Sequence, residues 1–362
     1  MNTLTKVIAG VLLVVGLSAI TGKGKRGGES WEKLDDQAQQ LAESGQYDQS
    51  LAISERQLKV ARATLGPNDP DLVTSLNNIA LRYEEHGDSV KAEPLLKEAL
   101  AIAEKTPSLR ESEKATIMVN LGSLYRSREW FTQAEPLLKN ALMIREKVLG
   151  PEHLDVAHSL SNLAGLYVDQ GRDDLAEPLY QRALVIRERD PKPADRFTSI
   201  LLGNLGQIYD RQGDYEKAAP LLLRALSIAE GALPPGHIDL ASCFANLASL
   251  YGNMEELPKA EAMYKRALAI QERARGSSVD MAVTLHNLGL IYDAEGEYQQ
   301  AEMSLKRSLK MTERLQGLHH PDLIVTLESL VTVYGKMGLE SQAERMQERL
   351  ERISARLERE RG

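Results

Sequence analysis

A nine-residue pattern returns along the chain at a nearly constant interval. It reads SLNNIALRY at residues 75–83, IMVNLGSLY at residues 117–125 and SLSNLAGLY at residues 159–167. Its closing tyrosine recurs 42 residues later, with one interval of 41, at Tyr83, Tyr125, Tyr167, Tyr209, Tyr251, Tyr292 and Tyr334. A period of this size is typical of repeat architectures, in which each unit contacts only its neighbours. The period, rather than the length of 362 residues, therefore sets the expected organisation.

Each unit contains two stripes of apolar residues at helical spacing. The first ends at the tyrosine, as in residues 160–167, and the second follows within about ten residues, as in residues 176–184. Glycine, which readily adopts the positive φ that ends a helix, stands four residues after the tyrosine at Gly87, Gly171, Gly213, Gly296 and Gly338. Glu129 and Glu255 replace it in two units. The pattern predicts helical hairpins, and hence an all-α fold, a right-handed α-solenoid of stacked antiparallel helix pairs.

Small residues indicate where the two helices of a hairpin meet. Ala80, Gly122, Ala164, Gly206, Ala248 and Gly289 on the first helices are predicted to face Ala92, Ala134, Ala176, Ala218, Ala260 and Ala301 on the second. One hairpin buries too little apolar surface to offset an ordering cost of roughly 1 to 2 kcal/mol per residue. Stability is therefore expected to come from stacking of neighbouring hairpins.

The segments between units carry signals that stop one helix and start the next. They read LGPNDPD, LGPEHLD and LPPGHID, and each ends in an aspartate, at Asp71, Asp155 and Asp239. Proline and glycine interrupt helices, and aspartate is a favourable N-cap. We expect these three aspartates to cap the helices that follow.

The order Leu160, Leu163, Ala164, Tyr167, Gly171, Ala176, Tyr180 and Ala183 resembles the tetratricopeptide repeat. The 42-residue version, with the junction LGPEHLDVAHSLSNLAGLY, is similar to the repeats of kinesin light chain. The resemblance covers about residues 31–358. It implies a degenerate first repeat at residues 31–64 and, at residues 65–358, seven repeats that finish in a C-terminal capping helix.

An asparagine column precedes the second leucine of the pattern at Asn78, Asn120, Asn162, Asn204, Asn246 and Asn287; these six residues are called the asparagine ladder. In the resembling family the first helices line the concave side of a superhelix, and such asparagines hold the backbone of an extended peptide. A carboxamide offers both donors and acceptors, so a ladder of them can match successive peptide groups. The alternative is that each asparagine bonds to an adjacent helix and fixes the stacking.

The same resemblance places ligand specificity at other positions of that face. Among them are Arg126, Asp169, Asp210, Arg211, Asn253 and His286. Acidic residues outnumber basic ones at these positions, and the clustered Lys and Arg that grip acidic tails in some tetratricopeptide domains are missing. A neutral or basic extended peptide is therefore the expected ligand, and a merely solvated polar face is the alternative.

Composition excludes several other classes of function. The net charge is -8, although residues 1–30 carry four basic residues against one acidic residue, so the rest of the chain would repel nucleic acid. No metal-binding, calcium-binding or phosphate-loop motif occurs, and the repeats leave no room for a catalytic domain. Cys243, the single cysteine, is expected to be a small buried residue. We therefore expect no enzyme activity, no cofactor and no metal.

The sequence thus predicts a non-catalytic protein–protein interaction scaffold that binds an extended peptide in a concave groove lined by the asparagine ladder. The alternative is a structural assembly subunit that oligomerises through the ends or edges of the solenoid. Affinity capture with asparagine variants separates the two, because only the first predicts loss of partners from a folded protein.

Residues 7–20, VIAGVLLVVGLSAI, form one long apolar run. Its length suits the core of a signal peptide better than a membrane span of about 20 residues. Residues 1–22 are therefore predicted to be a signal peptide or short membrane anchor, followed by a flexible glycine-rich basic linker at residues 23–30. Membrane association through residues 7–20 or export is expected, and an anchored protein with a cytoplasmic body is the alternative.

Overall fold

The structure, a computed structural model, describes residues 30–43, 46–190, 194–274 and 278–361. Every helix or strand assigned in these ranges is an α-helix. The sixteen helices are α1 (Trp31–Glu43), α2 (Tyr47–Thr64), α3 (Pro70–Glu85), α4 (Ser89–Lys105), α5 (Glu111–Ser127), α6 (Phe131–Leu149), α7 (Leu154–Asp169), α8 (Asp173–Glu188), α9 (Arg196–Gln212), α10 (Tyr215–Ala232), α11 (Ile238–Asn253), α12 (Leu257–Arg273), α13 (Val279–Ala294), α14 (Tyr298–Gln316), α15 (Leu323–Lys336) and α16 (Glu340–Arg361).

The helices divide into two compact units. Over the described residues, one unit holds α1–α8 and ends at residue 190, and the other holds α9–α16. In each unit an odd-numbered helix packs against the even-numbered helix that follows it, and each hairpin packs against the next. The predicted all-α solenoid of stacked helix pairs is confirmed. Residues 31–64 form the pair α1–α2, whereas residues 1–29 lie outside the described residues, together with the leader and nearly all of the linker predicted there.

The helices of each hairpin approach at the small residues that the sequence singles out. A Cβ added to Gly122 would lie 3.5 Å from the carbonyl oxygen of Ala134, and one added to Gly206 would lie 3.5 Å from that of Ala218. Gly289 would meet the carbonyl of Ala301 in the same way, at 3.3 Å. The predicted pairing of first and second helices is therefore correct at these three hairpins.

The equivalent contact in α8 yields a stability prediction. Ala176 is fully buried, as is Ala164, its predicted partner on α7. Ala176→Leu should overpack the contact and lower the free energy of unfolding by about 1 to 3 kcal/mol. Both tryptophans, Trp31 and Trp130, lie in the α1–α8 unit, so urea unfolding followed by tryptophan fluorescence reports on it. Gln181→Leu, at an exposed position of the same helix, is the matched control, and an unchanged midpoint for Ala176→Leu would contradict the pairing.

In the hairpins from α3–α4 to α15–α16 the turn uses a left-handed residue even where glycine is missing. The five glycines after the tyrosines have φ between 69° and 80°. Glu129 and Glu255 adopt φ of 59° and 61° at the equivalent positions. This conformation costs an L-residue roughly 1 to 2 kcal/mol, so the surrounding hairpin imposes it on these two glutamates.

The helix caps lie two residues before the predicted ones. Asp69, His153 and His237 are the N-caps of α3, α7 and α11, and each side chain accepts a hydrogen bond from the backbone N–H two residues later. The donors are the amides of Asp71, Asp155 and Asp239. The aspartates therefore sit in the first helical turn, where a negative charge favours the helix dipole, and they are not the caps.

The recurring tyrosines connect successive hairpins. The hydroxyl of Tyr83 donates to Glu55 of α2 at 2.6 Å, that of Tyr167 to Glu135 of α6 at 3.1 Å, and that of Tyr334 to Glu302 of α14 at 3.1 Å. Each bond reaches back to the second helix of the preceding repeat. The tyrosine that recurs with the sequence period thus contributes to the packing between repeats.

The predicted localisation requires correction. Among the described ranges no helix is both long and apolar enough to cross a membrane. Residues 7–20, on which the prediction rests, lie outside the described residues. The expectation of export or of a membrane anchor is wrong as stated, because neither a signal peptide nor an anchor is shown.

Candidate functional site

In the α1–α8 unit the asparagine ladder is engaged with neighbouring side chains. Asn120 is buried and donates to Asn77 of α3 at 2.8 Å. Asn162 is also buried; it accepts from Ser123 of α5 at 3.2 Å and donates to a backbone carbonyl of its own helix. Asn78 is half-buried and donates to Asp35 of α1 at 3.2 Å. These three carboxamides join successive odd-numbered helices, which is the stacking role that the sequence left open.

In the α9–α16 unit the ladder asparagines line open clefts instead. Asn204 and Asn246 border one cleft between α9 and α11, and Asn287 borders another between α13 and α15. All three residues are half-buried. Asn246 also accepts a hydrogen bond from Gln207 of α9. Their side chains therefore combine contacts between repeats with contact to solvent.

The α9–α11 cleft is narrow and largely apolar at its base. Its volume is about 40 Å³, slightly more than one water molecule occupies in the liquid. A Cβ at Gly203 would meet only the Nδ2 of Asn246, at 3.5 Å, so the glycine leaves the entrance open. The other residues that border it are Arg196, Ser199, Ile200, Asn204, Gln207, Leu233, Asp239, Ser242 and Cys243. Such a cleft accepts a small side chain beside the carboxamides of Asn204 and Asn246.

The α13–α15 cleft is similar in size, about 70 Å³, and contains a buried histidine. The Nδ1 of His286 lies 3.2 Å from the Oγ1 of Thr326 on α15. Burial lowers the pKa of His286 from 6.5 to about 4, so the imidazole is neutral at pH 7. This side chain can hydrogen-bond a ligand without adding charge.

The remaining predicted specificity residues pair with one another between neighbouring helices. Arg126 of α5 forms a two-point ion pair with Asp169 of α7. Asp210 of α9 accepts from Asn253 of α11 at 2.9 Å and from Ser249 at 3.0 Å. Burial raises the pKa of Asp210, and these two hydrogen bonds oppose the rise. Arg211 is half-buried and lines neither cleft.

Several cleft residues were not among the predicted site residues. Arg196 and Asp239 form an ion pair that borders the α9–α11 cleft, and Thr326 borders the α13–α15 cleft. A sequence signal for part of this set exists: residues 196, 200, 203, 204 and 207 of α9, and residues 239, 242, 243 and 246 of α11, follow helical spacing around the ladder asparagines.

Cys243 borders the α9–α11 cleft in a half-buried position. Its Sγ lies 3.7 Å from the Oγ of Ser199, and burial raises the pKa of the thiol. The thiol is therefore protonated at neutral pH and is a poor nucleophile. Across the described part of the chain, no cluster of three or more His, Cys, Asp or Glu residues could hold a metal ion.

A family model for the tetratricopeptide repeat matches residues 33–105, 113–189, 196–273 and 280–356. These matches cover well over half of the sequence, and the chain belongs to the tetratricopeptide repeat family. Each match spans two helix pairs of the structure. The family indicates a protein–protein interaction scaffold. No curated protein matches the sequence significantly.

Solved structures with the same fold include repeat proteins of several kinds. BtubC (BKLC) from P. vanneervenii is 25% identical, with a TM-score of 0.50, and the match covers 69% of this chain and 94% of that chain. A Rap protein complexed with Competence and Sporulation Factor is 17% identical over 91% of this chain and 99% of its own, with a TM-score of 0.61. A STAND protein with a tetratricopeptide repeat sensor from Pyrococcus horikoshii is 19% identical over 90% of this chain and 47% of its own, with a TM-score of 0.57. The predicted tetratricopeptide repeat is confirmed.

Proposed function

We propose that the chain is a non-catalytic scaffold that binds an extended peptide along the odd-numbered helices of the α9–α16 unit. One observation carries the proposal: Asn204 and Asn246, one repeat apart, border the same open cleft. Two carboxamides held on adjacent helices can bond to peptide groups of one extended strand, and the cleft between them receives a side chain.

The size of the clefts limits the ligand. At about 40 and 70 Å³ they accept a small side chain such as alanine, serine or valine rather than an aromatic ring. The ligand is therefore a peptide with small residues at the positions that enter the clefts. The carboxamides hold its backbone and impose little further sequence preference.

The charge of this face favours a neutral or basic peptide. Its basic groups include Arg196 and Lys336, and both are ion-paired with aspartates. A carboxylate from a ligand would compete with those aspartates for the same cations. The proposed preference is thus for ligands whose binding does not require clustered, unpaired Lys and Arg side chains.

Blocking the α9–α11 cleft should weaken peptide binding in a protein that circular dichroism shows to be folded. Gly203→Leu places a side chain in the cleft entrance, where a Cβ meets nothing closer than 3.5 Å. Replacing a glycine inside a helix also favours the helical backbone. Peptides selected on the wild-type protein from a random-sequence library should bind this variant at least about tenfold more weakly in fluorescence anisotropy, a loss of about 1.4 kcal/mol.

Gly335→Leu is the matched control, because Gly335 is an exposed position of α15 that borders neither cleft. Equal affinity for the two leucine variants would refute the proposal.

A further inference from the structure

A larger cleft of the same unit lies away from the asparagine ladder. It is formed by the end of α10, the segment that leads to α11, the start of α11 and the last turns of α12. Its volume is about 430 Å³, within the range of ligand-binding pockets in proteins. None of the ladder asparagines borders it. Among the described residues, the site shares only Leu233 with the α9–α11 cleft of the proposed peptide groove.

The cleft has an apolar base and a basic rim. Leu233, Leu240 and Ile270 supply apolar surface, with Phe244 buried beneath them. The guanidinium carbon of Arg266 lies over the ring of Phe244, 3.9 Å from its centroid, and one of its terminal nitrogens is 3.3 Å from Glu230. A guanidinium carries five N–H donors in a fixed plane, so Arg266 retains donors beyond this contact.

Arg273 completes the rim and is not paired. It is exposed, borders the cleft, and makes no hydrogen bond or ion pair with any residue that the structure describes. The acidic residue beside it in sequence, Glu272, is already bonded to Arg307 at 2.7 Å. In this cleft Arg273 thus lies beside an apolar surface and has no carboxylate partner within the described ranges.

The corresponding place in the α1–α8 unit contains the carboxylate that is missing here. There Arg189 forms an ion pair with Glu152, and Arg182 pairs with Glu146. Each of these residues lies 84 positions before its counterpart, so Arg189 matches Arg273, Arg182 matches Arg266 and Glu146 matches Glu230. Glu152 matches Gly236, in LPPGHID where the earlier segment reads LGPEHLD.

Gly236 keeps this position open. Its φ is +90°, which a glutamate adopts only with strain, and an added Cβ would meet no atom within 4 Å. The α9–α16 unit therefore retains the arginine in a repeat that lacks the glutamate.

We propose that this cleft binds a segment of a partner protein in which a glutamate lies between apolar residues. The glutamate carboxylate pairs with Arg273 and with the remaining donors of Arg266, as Glu152 pairs with Arg189 in the earlier repeat. The flanking apolar side chains cover Leu233, Leu240 and Ile270. This acidic ligand differs from the neutral or basic peptide proposed for the ladder, so the two sites take different ligands.

The test uses the full chain and a fluorescent tripeptide, acetyl-Leu-Glu-Leu-amide, as probe. Fluorescence anisotropy should show binding that weakens about tenfold when the peptide glutamate is replaced by glutamine, and about tenfold when the protein carries Arg273→Gln. The two changes together should cost little more than either alone, because they remove the same contact. Arg189→Gln is the matched control, since it removes the equivalent arginine where Glu152 already occupies the site.

Three results would overturn the proposal. They are no binding of the glutamate peptide at millimolar concentration, equal binding of the glutamate and glutamine peptides, and equal loss of affinity in Arg273→Gln and Arg189→Gln. Gly203→Leu should bind the tripeptide as the wild type does, so failure of this site and failure of the ladder site are distinguishable.

Discussion

Arg145→Ala is expected to lower the free energy of unfolding of the α1–α8 unit by about 3 to 5 kcal/mol. Arg145 is the largest fully buried side chain among the described residues, with 1% of its surface exposed. Its guanidinium donates to the carbonyl of Asp155 at 3.0 Å, to the Oγ of Ser159 at 2.9 Å and to the Oγ1 of Thr116 at 2.8 Å. One side chain of α6 thus connects α5 with α7.

Two costs add in the alanine variant. Truncation leaves a cavity where the side chain packs, and the surrounding helices relax into it only partly. It also removes the donor from a buried carbonyl and two hydroxyls, although Thr116 keeps its own bond to the carbonyl of Ser112. Burial lowers the pKa of the guanidinium, and the charge of Asp155 opposes that effect.

Arg145→Met separates the two costs, because methionine fills much of the space and carries no charge. It should be clearly more stable than Arg145→Ala in urea unfolding followed by tryptophan fluorescence. The prediction fails if Arg145→Ala unfolds within about 1 kcal/mol of the wild type.

The fold was predictable because its signal repeats. Seven tyrosines in register, with glycines four residues later, define hairpins without any knowledge of side-chain contacts. Glu129 shows the limit of this reasoning, since its own preference argues against the positive φ that the hairpin imposes. Arg145 shows another limit: the same position holds Ala103, Arg187 and Ala229 in other repeats, and the polar groups of α5 and α7 are needed to explain the arginine of α6.

The site was less predictable, because the role of each asparagine depends on its neighbours. Asn120 and Asn162 are buried because Asn77 and Ser123 are close enough to bond with them. Asn204 borders a cleft because the residue beside it is Gly203. A ladder that looks uniform in sequence therefore divides into stacking contacts in one unit and cleft-lining residues in the other.

The structure also shows a repeat of two hairpins that the 42-residue period conceals. Each of the four family matches contains several polar contacts between its two odd-numbered helices. They include Asp35–Arg82, Arg126–Asp169, Asp210–Asn253 and Asp293–Lys336. The small residue on the first helix of successive hairpins alternates between alanine and glycine with the same period, from Ala80 and Gly122 to Ala248 and Gly289. The alternation of alanine and glycine and the family matches thus share a period of two hairpins, and Asn120 bonds to Asn77 across two of the matches.

Acidification from pH 6.5 to pH 4 should destabilise the wild type relative to His286→Gln by about 3 kcal/mol. The imidazole has a pKa of about 4 in the folded protein because it is buried, and 6.5 when exposed. Between these values the unfolded chain binds a proton that the folded chain does not, so the free energy of unfolding falls as the pH falls. Above pH 6.5 both states are neutral at this position, and the effect vanishes.

The comparison with His286→Gln isolates this histidine from other groups that titrate nearby. Asp280 on the same helix is half-buried; loss of solvation raises its pKa and gives stability the opposite dependence on pH, and Asp322 borders the same cleft. Both aspartates are present in both proteins, so their effects cancel in the difference. Urea unfolding followed by circular dichroism at pH values between 7 and 4 measures that difference. A constant difference across this range would contradict the prediction, because it would show that His286 is accessible to protons in the folded state. The α13–α15 cleft would then be polar and hydrated rather than a dry pocket for a small side chain.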